Sequence, residues 1–179
     1  RVAEAATATP QDRAIPGHSY AAGLDWGRTG DFTVIAVLDV TTRELVYLDR
    51  FTQVGYQAQL GRVHAAFERF RPVTMIAEVN SMGGPMVEAM QGLGLPVQPF
   101  TTTNATKSAA IDALALAFER GDIRIINDPV LVAELQAYEV DRLPSGLYRY
   151  SAPEGMHDDC VVGAALMWQA VANYVPLLF

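Results

Sequence analysis

The sequence predicts an α/β fold: a mixed β-sheet with antiparallel first strands and helices on both faces. Three observations carry this. Two β-rich runs, Phe32–Val40 and Glu44–Thr52, flank Thr41-Thr42-Arg43 and read as a hairpin. Strand-like and helix-like segments then alternate along the rest of the chain. Tyr20–Gly27 and Val73–Val79 are continuous apolar runs, as expected of strands covered on both sides.

Taken in order, Tyr20–Gly27 is a buried strand and the hairpin follows it. Gln57–Phe70 spaces Leu60, Val63, Phe67 and Phe70 as a helix, which Pro72 ends. Val73–Val79 is the fourth strand. Pro85 suits the first residue of a short helix to Met90, and Val97–Phe100 is a short strand. Lys107–Arg120 is a helix with Ile111, Leu114 and Phe118 inward, stopped by Gly121. Ile123–Ile126 is a strand, and Pro129–Tyr138 a helix opened by Asp128 as its N-cap. Glu139–Leu143 and Leu147–Tyr150 flank Pro144-Ser145-Gly146 as a second hairpin. Asp158–Asn173 is the last helix. No internal repeat is visible.

The chain has 179 residues and 19.4 kDa, one domain's worth. Residues 1–19 are rich in Ala, Thr, Pro and Gly without periodicity, so they are expected to be a linker or disordered arm, with the folded domain spanning 20–179. Half of the residues are hydrophobic and 18% charged, which excludes a disordered, collagen-like or coiled-coil chain. Cys160 is the only cysteine; this excludes an internal disulfide and a Cys-rich zinc site, and favours a reducing compartment. The apolar stretch Cys160–Phe179 carries Gln169, Asn173 and Pro176 and reads as a buried helix rather than a membrane span. A net charge of −7 argues against a free-standing, tight nucleic-acid binder.

Acids in expensive positions carry the chemistry. Asp25 and Glu78 each end an apolar strand, and Asp158 and Asp159 open an apolar helix. A buried carboxylate needs a partner or a metal, and sites in open α/β sheets form outside the carboxyl ends of strands. Acids meeting at one rim call for an oxygen-loving divalent cation. Each also has a plainer reading: Asp25 in a glycine-rich turn, Glu78 facing solvent, Asp158-Asp159 as helix-start residues that complement the dipole.

The ordered strings Gly23-Leu24-Asp25-Trp26-Gly27, Asp31-Phe32-Thr33, Ala77-Glu78-Val79-Asn80…Gly83, Thr106-Lys107 and His157-Asp158-Asp159 resemble the nuclease domain of the large terminase subunit of tailed bacteriophages, a ribonuclease H-like (RuvC-like) fold. The resemblance spans Tyr20 to Asn173. It implies a metal-dependent DNA endonuclease that cuts concatemeric viral DNA during packaging. It implies Asp25, Glu78 and Asp159 as catalytic, metal-binding acids, and Asp158 as an alternate ligand not separable from Asp159 by sequence. It implies two divalent cations, Mg²⁺ or Mn²⁺, which suit an all-carboxylate site. Its implied partners are double-stranded DNA, a packaging ATPase domain of the same full-length chain, the portal and the small terminase, in the host cytoplasm and not at a membrane. No G-x-x-x-x-G-K-[ST] loop occurs here, and with no initial Met the sequence is expected to be an excised C-terminal domain.

Other residues are weaker candidates. Asp31 and His157 are metal-proximal candidates. Arg28, Asn80, Ser81, Asn104, Lys107, Arg142 and Arg149 are DNA-contact candidates; Lys107 is the only lysine. Each also has a structural reading as a cap, a solvated charge or an edge-protecting residue. Rival functions are a Holliday-junction resolvase or transposase of the same fold, a sugar-kinase/actin-type phosphate site on Asp25-Trp26-Gly27-Arg28-Thr29, and a silent interaction module. The kinase reading needs two such domains, more than this chain supplies. Five of the negative charges lie at the candidate rim, leaving little net charge elsewhere and no strong basic face, so weak DNA grip by this domain alone is expected.

Overall fold

A computed structural model describes residues 1–27, 31–80, 83–140 and 157–172. The elements run α1 (Val2–Ala5), β1 (Tyr20–Asp25), β2 (Thr33–Asp39), β3 (Glu44–Phe51), α2 (Tyr56–Phe70), β4 (Thr74–Glu78), α3 (Gly83–Gly92), β5 (Val97–Phe100), α4 (Asn104–Arg120), β6 (Arg124–Ile125), α5 (Pro129–Val140) and α6 (Asp159–Ala172). One six-stranded sheet has the order β5-β4-β1-β2-β3-β6. β1–β2 and β2–β3 pair antiparallel, while β1–β4, β4–β5 and β3–β6 pair parallel.

The alternation of side chains along β2 explains the two layers. Val34, Ala36 and Leu38 face a core built with α1, α4, α5 and α6. Ile35 and Val37 face the opposite core, built with α2 and α3. Every residue of β1 and β2 is buried, so their unbroken apolar runs follow from cover on both sides. Helix α6 lies directly on β1. A Cβ at Gly23 would stand 2.1 Å from Met167 N and 2.4 Å from Gly163 O, so only glycine permits this approach. Among the described residues no helix is long and apolar enough to cross a membrane.

Three expectations are corrected. Residues 1–19 are not a loose arm. Val2 and Ala8 are buried in the core with α5 and α6. Ala8 N donates to Ile125 O at 3.0 Å, Gln11 N to Val46 O at 3.0 Å and Ala14 N to Arg69 O at 2.9 Å. At the far end of this strap the buried Asp39 carboxylate meets Gln11 Nε2 at 3.1 Å and His18 Nδ1 at 2.6 Å. Burial alone would raise the Asp39 pKa; the hydrogen bonds from His18, Gln11 and the Thr42 N–H hold it below its usual value. Pairing with distant strands, rather than local periodicity, orders this segment. Helix α4 begins at Asn104, before Lys107, because Thr103 and Thr106 form a reciprocal capping box. Glu139 and Val140 continue α5 instead of starting a strand; the rest of the expected second hairpin lies outside the described residues. Asp128 caps α5 as expected, its Oδ1 accepting from Val130 N and Leu131 N at 3.0 Å each.

Candidate metal centre

Two adjacent parallel strands and one helix start bring the acids together. Leu24 pairs with Ala77, which sets the next residues, Asp25 and Glu78, side by side at the carboxyl ends of β1 and β4. Asp159, the first residue of α6, reaches the same rim because the glycine contact seats α6 on β1. Asp25 is 7% exposed and Asp159 is equally buried. Helix α3 closes the Glu78 side: a Cβ at Gly83 would lie 2.0 Å from the Glu78 carbonyl oxygen.

The electrostatics are unfavourable without a cation. Burial first, then a hydrogen bond with Glu78 and the charges of Glu78, Asp159 and Asp158, push the Asp25 pKa well above the carboxylate range. Asp159 is raised too, first by burial and then by Asp31 and Asp158, against the opposing hydrogen bond from Phe32 N to its Oδ2 at 3.3 Å. Burial and neighbouring acids thus favour the protonated form of Asp25, and a bound cation would favour the ionised one. This all-oxygen, charge-crowded donor set fits Mg²⁺ or Mn²⁺.

The structure separates the two neighbouring aspartates that the sequence left equivalent. Asp158 Oδ2 accepts from Lys107 Nζ at 3.0 Å and from Tyr138 Oη at 2.6 Å. Asp159 instead accepts from Phe32 N, and its charge acts on Asp25. On its other side, His157 Nδ1 lies 3.7 Å from Asp159 Oδ2 and 3.6 Å from Asp31 Oδ1. Asp31, His157 and Asp159 each offer one ligand atom, all within 4.8 Å of one another. Asp159 thus belongs to this group while its charge also acts on Asp25.

The DNA-contact candidates separate as well. Asn80 is engaged within the fold, its amide bridging Thr102 N and Thr102 O at 2.9 and 3.0 Å. Lys107 carries an ion pair to Asp158 and is not simply solvated. Asn104 is exposed at the start of α4. Arg28, Ser81, Arg142 and Arg149 lie outside the described residues.

Sequence reasoning missed Glu134, Tyr138, Phe32 and Arg50. Glu134 Oε2 accepts from Cys160 N at 2.7 Å, and the Arg50 guanidinium lies 3.3 Å above the Phe32 ring. The available signal was Glu134 itself, an acid inside the apolar run Leu131-Val132-Ala133-Glu134-Leu135. Burial and then the Glu134 charge push the Cys160 thiol pKa far up, which disfavours the reactive thiolate.

A comparison with protein-family models finds no match. Among curated proteins, the large terminase subunit of Thermus virus P23-45 is 29% identical over 154 residues, covering 86% of this chain. The large terminase subunit of Thermus phage G20c matches to the same extent. The chain spans about a third of the length of these relatives, 32% in each. Among solved structures, the large terminase nuclease of thermophilic phage G20c with bound magnesium superposes with a TM-score of 0.77 at 28% identity, covering 88% of this chain and 84% of that one. Structures of that nuclease also hold cobalt or zinc. The nuclease domain of the bacteriophage SPP1 large terminase with bound Mn shares the fold, with a TM-score of 0.57 at 11% identity over 90% of this chain and 94% of that one. The chain is thus similar in sequence to the large terminase subunits of Thermus phages, and in fold to their ribonuclease H-like nuclease domains.

Proposed function

We propose that this chain is a divalent-metal-dependent endodeoxyribonuclease that cuts concatemeric viral DNA during genome packaging, by two-metal-ion phosphodiester hydrolysis. The observation that carries the reading is the placing of buried Asp25 beside half-buried Glu78, with buried Asp159 close enough for its charge to act on Asp25, on a fold shared with metal-bound terminase nucleases. Asp25, Glu78 and Asp159 would be the primary ligands, with Asp158 as the alternate ligand and Asp31 and His157 beside Asp159. A divalent pair held there would supply activation of an attacking water and stabilisation of charge on the leaving 3′ oxygen.

The chain's own residues prepare the site. The Phe32 N–H fixes one oxygen of Asp159. Lys107 and Tyr138 hold Asp158 to one side, so that its charge is partly neutralised until a substrate or cation competes for it. Burial of Asp25 keeps water from screening the charges that the site uses. Arg28, Ser81, Asn104, Arg142 and Arg149 are proposed to meet the DNA backbone. The double-stranded substrate is held mainly by other parts of the packaging machine: the ATPase domain of the full-length chain, the portal and the small terminase, in the host cytoplasm.

The test is incubation of supercoiled plasmid with the purified chain. Mn²⁺ or Mg²⁺ is expected to support nicking and linearisation, and EDTA to abolish both. A plasmid left intact at saturating Mn²⁺ would contradict the proposal. ATP hydrolysis in its place would favour the kinase-like phosphate site.

A further inference from the structure

We infer that helix α5 braces the metal centre, with Glu134 and Tyr138 as positioning residues that set Asp158 and Asp159 at the head of α6. The inference deepens the reading above and rests on it only for the use to which the metal is put.

The first N–H groups of a helix have no partner inside it and are usually met by the side chain of the residue just before it. In α6 that residue is Asp158. Its Oδ2 is engaged elsewhere, with Lys107 Nζ at 3.0 Å and Tyr138 Oη at 2.6 Å. The N–H of Cys160, the second residue of α6, is instead met from another helix: Glu134 Oε2 accepts it at 2.7 Å. Glu134 and Tyr138 are one turn apart on α5 and therefore share a face. They grip residues 160 and 158, which bracket Asp159.

The chemistry marks Glu134 as more than packing. It is 4% exposed, and its other oxygen, Oε1, is buried with no hydrogen-bond partner among the described residues. An acid is a costly choice there, and an apolar residue would fill the space without that cost. The carboxylate contributes a negative charge at a helix start, where the dipole favours it, and fixes one backbone atom adjacent to Asp159. The Phe32 N–H fixes the Asp159 carboxylate from the other side, at 3.3 Å. Asp159 is thus held through its own oxygen and through the peptide that follows it. Partners of this kind orient metal ligands and set metal affinity.

The test is Mn²⁺ binding by calorimetry on the full chain, with thermal melts in EDTA. Four proteins are compared: wild type, Glu134→Ala, Glu134→Gln and Tyr138→Phe. Glu134→Ala is expected to weaken Mn²⁺ binding about 10-fold or more. Glu134→Gln keeps an oxygen that can accept the Cys160 N–H, so it is expected to recover most of that loss. Tyr138→Phe removes only a hydroxyl, and is expected to melt like wild type yet bind Mn²⁺ a few-fold more weakly. Wild-type affinity in a folded Glu134→Ala, or in Tyr138→Phe, would overturn the inference; so would Glu134→Gln binding as weakly as Glu134→Ala. If Glu134→Ala does not fold, the other two variants decide. A wild-type chain that binds Mn²⁺ but leaves DNA intact would refute the nuclease reading while the affinity series still judges the brace. A wild-type chain that binds no Mn²⁺ would refute both.

Discussion

Asp25→Ala is expected to lower Mn²⁺-supported plasmid cleavage by at least about 10³-fold, the scale on which lost transition-state charge stabilisation acts. The same substitution is expected to make the metal-free protein melt at a higher temperature. Both effects have one cause. Asp25 is buried beside Glu78 and feels the charges of Asp159 and Asp158. Without a cation, burial and neighbouring acids oppose its ionisation; with one, the proposed site would use it as a ligand. A residue serving only the fold would lose stability on removal, and one serving only as an exposed DNA contact would change neither quantity so much. Cleavage and melting of purified Asp25→Ala against wild type in EDTA check the pair. Undiminished cleavage, or a lower melting temperature together with retained activity, would sink the assignment.

The stability of the metal-free protein is expected to fall as pH rises from about 5 to 8, and saturating Mn²⁺ is expected to reverse the slope. Asp25 is raised well above its ordinary value and Asp159 is raised too, both chiefly by burial, and Glu134 is raised for the same first reason. For such groups the folded chain binds protons that the unfolded chain has released. Their favourable contribution is full below the unfolded pKa, near 4, and is lost as pH climbs through the raised values. Asp39 has the opposite sign, its folded pKa being lowered. Its contribution is lost only as pH falls through that lowered value, so it does not offset the others between pH 5 and 8. Metal binding requires the deprotonated ligands, and stabilises in proportion to the logarithm of metal concentration over dissociation constant. Melts at pH 5 and 8, each in EDTA and in Mn²⁺, check this. Asp25→Ala should flatten the metal-free slope. A metal-free protein more stable at pH 8, and indifferent to Mn²⁺, would contradict the electrostatic account.

Polar residues inside apolar runs pointed to the candidate site. Asp25 and Glu78 interrupt strands that are otherwise buried on both sides, and the strand order sets them next to each other. The hairpin of β2 and β3 followed from composition and its turn. Other features depend on how elements rotate and meet. Asp158 and Asp159 are neighbours at a helix start; only the seating of α6 on β1 through Gly23 and Gly163 turns one to the acids and the other to Lys107 and Tyr138. Glu134 interrupts an apolar run just as Asp25 does. In a helix, however, periodicity allows a polar residue on an open face, and the sequence does not say that α6 covers that face. The strap at residues 1–19 escaped notice because its order comes from single backbone bonds to distant strands and from Asp39, contacts that leave no local pattern.

The central claim is that Asp25, Glu78 and Asp159 form a divalent-cation centre. Crystals of the wild-type chain soaked in Mn²⁺ test it most directly, through the anomalous signal of the metal. The account predicts manganese density within ligand distance of Asp25, accompanied by Glu78 or Asp159. Manganese bound elsewhere at saturating metal, with none near Asp25, would contradict it.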